Sequence, residues 1–402
     1  MNTGRPLRLC IFASIMRRHR GYFTPHTGLV ARALTDLGHE VTVLTAALPE
    51  GGGAVEVEDG VEVHYLAGVA AKKNQESFWT ASAEAFDRLH AQRPFDIVFA
   101  RGVASWGYFH YSRHGGDVPV ILHEGTYPRW LHQVETRAGW LAPVLTKLLA
   151  PAFALKNRKA AACMQRAARV VCITPALAAA VRRNLWWHPP NALSVTYGFD
   201  TSRWHPRLPT PGAAPRLVSV GRLAWDKGVL PMIEVLSRAK NRSVTLEVMG
   251  PGADKVKQRL LGRSRDLGVD KRYSLAGPVQ NEELPNRLAG ASAFLFPSTH
   301  AEGLGKVVLE AMAAGLPVLA YRLPVLEGII EDGVTGFLVP IRSPSAMTER
   351  VDQLLADPAL QARMGAAARR KIETDFAPAA IQAQWRALLS EVVAEANQRQ
   401  GG

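Results

Sequence analysis

The chain has 402 residues, 47% of them hydrophobic, with a mean hydropathy of -0.03 and a net charge of +13. That describes a soluble globular protein, too long for one ordinary core and suited to two domains of about 200 residues each. The three cysteines, Cys10, Cys163 and Cys172, show neither disulfide-framework nor metal-ligand spacing, which implies a reducing, cytoplasmic compartment and no structural metal.

The first strand is predicted at Leu7–Ser14. A loop of basic and aromatic residues follows, then a helix from about Pro25 to Leu37. Gly38-His39-Glu40 closes that helix, and Val41–Thr45 reads as the next strand, so the sheet is expected to be largely parallel. Further strands are predicted at Val61–Leu66, Asp96–Ala100, Val118–His123, Arg169–Ile173 and Ser194–Thr196. Tyr197-Gly198-Phe199-Asp200 then leads into a proline-rich stretch, Trp204–Pro215, where the domain junction is placed. A second series starts at Arg216–Val220 and continues at Ser243–Val248, Tyr273–Ala276, Ala293–Phe296, Pro317–Ala320 and Gly336–Val339. A last helix, Pro378–Ala396, carries Ile381, Trp385, Leu388, Leu389 and Val392 at helical spacing. The expected fold is α/β, with two doubly wound Rossmann-like domains and a cleft between them. The boundaries are 1–199 and 200–376, with 377–402 as a helix and tail crossing back to the first domain.

Residues 302–310, E-G-L-G-K-V-V-L-E, hold two carboxylates eight residues apart, Glu302 and Glu310, around a glycine-bearing turn that can open a helix. A helix N-terminus offers free N–H groups and a positive dipole end to an anion such as a diphosphate. The carboxylates suit neutral hydroxyls flanking that anion. Eight residues at helical rise span about 12 Å, roughly the reach from a sugar across a diphosphate to a ribose. The pattern points to a nucleotide-diphospho-sugar; ordinary cap chemistry on a solvated helix start is the alternative. Arg222 and Lys227, in S-V-G-R-L-A-W-D-K-G, fall on the loop after a strand, where two fixed cations can neutralise a departing diphosphate. No Asp-x-Asp pair is present to carry a metal for that job. His123 ends a strand and either faces the cleft or serves as a partly buried structural histidine. Arg17, Arg18 and Arg20, with Gly21, fall on the first loop and could receive an anionic acceptor or phosphate. No G-x-G-x-x-G occurs there, which counts against a nicotinamide or flavin cofactor.

These residues resemble a known family, the GT-B retaining glycosyltransferases of family 4. The resemblance runs through S-V-G-R-L-A-W-D-K-G at 219–228, V-M-G-P-G at 248–252, L-A-G-P-V at 275–279, F-P-S at 296–298, the run at 302–318 and D-G-V-T-G-F-L-V at 332–339. The first half matches more loosely, through G-H-E-V-T-V-L-T at 38–45, F-D-I-V at 95–98, His123 and G-F-D-T at 198–201. The resemblance implies that Glu310 binds the ribose and Glu302 the donor sugar. Arg222 and Lys227 would hold the diphosphate, with backbone from Gly303, Leu304, Gly305, Lys306 and Val307. Val279 would meet the base, and His123 would lie near the reacting carbon. It also implies a reaction that keeps the anomeric configuration and needs no divalent metal. Two departures stand out: the first loop, R-R-H-R-G-Y-F-T, has one glycine where the family often has a pair, and Tyr197 stands where the family often has Asn.

Between Thr136 and Phe199 there is no Asp or Glu, but there are nine Lys and Arg residues together with Trp140, Trp186 and Trp187. Basic groups with interfacial tryptophans suit an anionic membrane surface, which would place the protein peripherally on the inner face of the cell membrane. The partners expected are therefore a nucleotide-sugar donor and a lipid-linked or anionic acceptor, with no nucleic acid. A soluble small-molecule acceptor, or a non-catalytic basic membrane-binding protein on the same fold, are the rival readings. The apolar stretch at Trp140–Leu155 is interrupted by Pro143, Lys147 and Pro151 and is too short to span a bilayer.

Overall fold

The structure is a computed structural model that describes residues 5–14, 25–48, 53–70, 75–125, 131–134, 138, 141–184, 191–210, 212–300 and 303–400. Among the described residues fourteen strands form two sheets. The first holds β1 (Arg8–Phe12), β2 (Glu40–Ala46), β3 (Ala54–Glu58), β4 (Val61–Leu66), β5 (Ile97–Arg101), β6 (Val120–Glu124), β7 (Arg169–Cys172) and β8 (Ala192–Ser194) in the order β3-β4-β2-β1-β5-β6-β7-β8. Every pairing in it is parallel except β3 with β4. The second holds β9 (Arg216–Val220), β10 (Thr245–Met249), β11 (Tyr273–Gly277), β12 (Ala293–Phe296), β13 (Val318–Tyr321) and β14 (Gly336–Val339) in the order β11-β10-β9-β12-β13-β14, parallel throughout.

Helices cover both faces of such sheets, so the central strands are apolar on both sides. Val318–Tyr321 and Ala293–Phe296 are buried at every position. This is why short, unbroken apolar runs locate these strands in the sequence. The exception is β3, which the sequence reading leaves out. Its A-V-E-V-E alternation sits on the sheet edge, with Val57 74% exposed, and is joined to β4 by an Asp59-Gly60 turn in which both residues have positive φ.

Contacts divide the chain into two units. One contains residues 1–126, 141–198 and 379–402; the other contains 127–140 and 199–378. Helix Pro378–Gln400 belongs, from Ala379 on, to the first unit. Its Trp385 packs 5.9 Å from Phe99 of β5, and Ile381, Leu388, Leu389 and Val392 are buried beside it. Arg169 on β7 binds Glu391 at 2.6 Å and Glu395 at 2.5 Å on the same helix. The short stretch 127–140, which the sequence reading assigns to the first domain, groups with the second unit instead. Its buried His132 sets Nε2 2.8 Å from the Thr299 carbonyl oxygen.

Candidate active site

Two loops that leave neighbouring strands of the second sheet carry most of the predicted site residues. β9 and β12 pair in parallel, with Phe294 opposite Val218, so their carboxyl ends lie side by side. After β9 comes exposed Arg222, then a single 3-10 turn, Trp225–Lys227, and then Gly228 at φ 73°, which caps helix Val229–Arg238. A Cβ on Gly228 would lie 2.0 Å from the Pro297 carbonyl oxygen, so only glycine allows this approach of the two loops. The loops are also tied by hydrogen bonds. The Thr299 N–H donates to the Asp226 carbonyl at 2.8 Å, the Ser298 hydroxyl donates to the same oxygen at 3.3 Å, and His300 Nδ1 lies 2.8 Å from Asp226 Oδ2. Lys227 is half-buried inside this tie.

Past β12, Gly305 at φ 65° caps helix Lys306–Ala313. Leu304 and Gly305 are buried and Gly303 half-buried. The N–H groups of Lys306 and Val307 open this helix and, as in any first turn, have no partner within it. Glu310 lies one turn further on, 6% exposed, with Lys306 Nζ 3.3 Å away. Burial pushes its carboxyl above the ordinary carboxylate range, while Lys306 and then Arg203 pull the other way. Arg203 also donates to the Asn281 carbonyl at 2.6 Å, beside half-buried Val279 on the loop after β11. The second unit thus sets Arg222, Lys227, Val279, Gly303, Leu304, Gly305, Lys306, Val307 and Glu310 on loops after strands of one sheet and at one helix start. Glu302 lies outside the described residues, as do Arg17, Arg18, Arg20 and Gly21.

In the first unit His123 is 2% exposed at the end of β6, and its Nε2 lies 3.1 Å from the Tyr197 hydroxyl. Glu124 follows it. Removal from water pushes this carboxyl up to about 7, against the pull of the Arg101 guanidinium. A Cβ on Gly102 would lie 3.5 Å from Glu124 Oε1, and one on Gly125 3.6 Å from Arg101 Nη2 and from His123 Cε1. Arg101, His123, Glu124 and Tyr197 therefore form one polar island. Sequence reasoning gives a site role only to His123 in it, and notes Tyr197 only as a departure from the family's usual Asn. Glu124 is its immediate neighbour in the same run, whereas Arg101 and Tyr197 arrive from the end of β5 and from beyond β8. Asp226 and His300 are likewise missed, although each sits inside or between the quoted motifs.

The basic window divides. Arg169 is buried against two glutamates, Lys159 lies over the rings of Trp79 and Trp106, and Arg166 lies over Phe109, so these three are engaged by the protein itself. Arg182 donates to the Ala192 carbonyl at 2.7 Å, whereas Lys147 and Arg158 are exposed, as are Val144, Leu148 and Leu155 of helix Ala142–Lys156. Trp140, Trp186, Trp187 and Arg137 lie outside the described residues. Among the described residues no helix is long and apolar enough to cross a membrane.

Two Rossmann-like units with parallel sheets define the GT-B fold. The structure is similar to that of sucrose-phosphate synthase from Thermosynechococcus elongatus, with a TM-score of 0.73 and 19% identity over 97% of this chain and 100% of that one. Residues 24–198 match the family described as "Glycosyl transferase 4-like domain", and residues 200–371 match "Glycosyl transferases group 1". The chain belongs to the group 1 glycosyltransferases, as the sequence motifs imply. Among its relatives, the lipopolysaccharide core biosynthesis glycosyltransferase LpsE of Rhizobium meliloti is 31% identical over 55% of this chain. The match spans 64% of that relative, less than two thirds of its length. The D-inositol 3-phosphate glycosyltransferase of Corynebacterium urealyticum is 27% identical over 81% of this chain and 80% of that protein.

Proposed function

We propose that this protein is a metal-independent, retaining hexosyl-type transferase that uses a nucleotide-diphospho-sugar. Its acceptor is a lipid-linked or anionic glycan precursor in polysaccharide or glycoconjugate biosynthesis. The observation that carries this reading is the tie between the Arg222–Lys227 loop and the loop leading to Gly305 and Glu310. It concentrates two cations, a helix start and a buried carboxylate at the ends of adjacent strands. Cations and N–H groups fixed in place stabilise a departing diphosphate without reorganising during the reaction. Glu310, with its carboxyl kept from water, is suited to accept from ribose hydroxyls.

In the proposed step the bond from the anomeric carbon to the diphosphate oxygen breaks, and its electron pair stays on that oxygen. The acceptor oxygen forms the new bond on the same face, and its proton passes to the departing diphosphate. His123, on its Tyr197 hydrogen bond, is assigned to the donor sugar near the reacting carbon. Arg17, Arg18, Arg20 and Gly21 are assigned to the acceptor. The acceptor class is supported by two relatives named for lipopolysaccharide core biosynthesis and for inositol 3-phosphate. It is supported too by exposed Val144, Leu148 and Leu155 beside Lys147 and Arg158, which suit peripheral contact with an anionic membrane.

A panel of UDP-, GDP- and ADP-sugars, scored by thermal shift and by donor hydrolysis in excess EDTA, tests the donor and metal assignments together. One nucleotide series should stabilise the protein and be turned over with the chelator present. Absence of any shift would remove the donor reading. Loss of turnover in EDTA that added metal restores would remove metal independence.

A further inference from the structure

Arg369, on helix Pro358–Asp375, has a side chain only 17% exposed and spends it largely on backbone. Its Nη1 donates to the carbonyls of Trp204 and Ala313, each at 2.6 Å, and its Nη2 to that of Thr201 at 3.4 Å. Its Nε donates to Glu373 Oε1 at 2.6 Å, one turn along the same helix. A planar guanidinium fixes the directions of such bonds, which a flexible ammonium does not. Ala313 ends helix Lys306–Ala313, where the last carbonyls find no donor within the helix and the dipole favours a cation. Thr201 and Trp204 bracket Arg203, whose guanidinium binds the Asn281 carbonyl and whose charge reaches Glu310. One side chain therefore holds both the helix that carries Glu310 and the segment that carries Arg203. The rest of its helix closes the same joint. One turn before Arg369, a Cβ on Gly365 would lie 2.2 Å from the Gly315 carbonyl oxygen, just past the end of helix Lys306–Ala313. At the far end, the Phe199 N–H donates to the Phe376 carbonyl at 2.8 Å, so the segment leading to Arg203 is laid along this helix.

We infer that Arg369 is a positioning residue for the nucleotide, setting the register of Glu310 against Arg203 and the loop after β11. This rests on the donor-site reading above and adds to it a residue to which neither the motifs nor that reading gives a role. Arg369 acts through backbone and not on substrate. Helix Lys306–Ala313 is a rod about 12 Å long, so a shift at Ala313 moves Glu310 and the helix start with it. Groups that bind substrate need to be held to within about 0.5 Å, by neighbours that are themselves locked by packing and hydrogen bonds. The carbonyls of Thr201, Trp204 and Ala313, drawn onto one guanidinium, supply that lock from behind the site.

Isothermal titration of UDP, GDP and ADP into the full chain compares wild type with Arg369→Gln, Glu310→Gln and the double variant. Arg369→Gln should weaken binding of the preferred diphosphate about tenfold at a temperature where the variant is fully folded. In the Glu310→Gln background the same change should weaken it by less than about threefold, because the group it positions is gone. An arginine that only stabilised the fold would lower the melting temperature and leave affinity untouched. Leu354→Ala, a buried change on helix Pro344–Ala356, is the control for that role. It lowers the melting temperature, keeps the hydrogen bonds of Arg369, and should bind nucleotide as wild type does. Arg369→Lys keeps the charge without the fork and should fall between wild type and Arg369→Gln; it carries the comparison if Arg369→Gln does not fold. Wild-type affinity in the folded Arg369 variants, or additive losses in the double variant, would overturn the inference. If Glu310→Gln weakens binding and Arg369→Gln does not, only the role of Arg369 fails. If wild type binds none of the three diphosphates, the donor-site reading fails and the inference with it.

Discussion

The two units use the ends of their strands in different ways. In the second, consecutive stretches of sequence supply the candidate groups, and the loops that bear them are tied by Gly228, Asp226, Ser298 and Thr299. In the first, the polar island of Arg101, His123, Glu124 and Tyr197 is assembled from three separate places in the chain and is largely withdrawn from water. A site built from short contiguous motifs is visible in sequence and rigid by local bonding. A site built from scattered residues is visible only after folding, and its chemistry is set by burial.

The largest expected effect falls on the second unit. Glu310→Gln should lower turnover about 100-fold or more while the fold survives, because the carboxylate is assigned to substrate and the amide removes a buried charge. Melting temperature should hold or rise. A folded Glu310→Gln protein with full turnover would show that this side of the comparison has been misread.

Gly228→Ala probes the tie between the loops. The methyl would meet the Pro297 carbonyl at 2.0 Å in a backbone with φ 73°. Positive φ and a backbone clash together should cost about 2–3 kcal/mol of stability, measured by urea denaturation, and lower nucleotide affinity with it. An unchanged denaturation midpoint would show that the loops separate at little cost.

Glu124→Gln sharpens the other side. Burial raises this acid to about 7 in the folded state, above its ordinary value of 4.5. The unfolded chain therefore gives up the proton first. The contribution of Glu124 to stability is fully present below about pH 4.5 and is lost as pH rises through about 7. Allowing for partial exposure, the difference is on the order of 2 kcal/mol. Glu124→Gln should gain stability relative to wild type across that window, read as melting temperature against pH. Parallel curves would mean that the carboxyl is hydrated in the folded protein.

The smallest effect concerns the outer surface of the first unit. Leu148→Asp combined with Leu155→Asp should weaken flotation with anionic vesicles about tenfold without altering donor hydrolysis, since both side chains are exposed and available to a bilayer interface. Equal flotation of variant and wild type would leave the membrane part of the proposal without support.

How far the sequence reaches follows the same division. The strands of the second unit are legible because parallel strands covered on both faces are short apolar runs between turn residues, and Arg216–Val220, Ala293–Phe296 and Gly336–Val339 fall where that pattern puts them. β3 escapes it because an exposed edge strand with alternating Val and Glu buries no face. The nine cations of the window look alike in sequence, yet Arg169 is consumed by Glu391 and Glu395, more than two hundred residues away.

The sequence by itself determined the two doubly wound units, the family, and the set of candidate donor-site residues, because periodicity and motif spacing are local and survive without coordinates. Only the tertiary structure decided which groups share an environment. It set Tyr197 against His123, Arg101 beside Glu124, His300 on Asp226 and His132 on the Thr299 loop. Desolvation and hydrogen-bond geometry depend on distance in space, and a chain that crosses a sheet between strands brings together residues whose separation in sequence carries no trace of it.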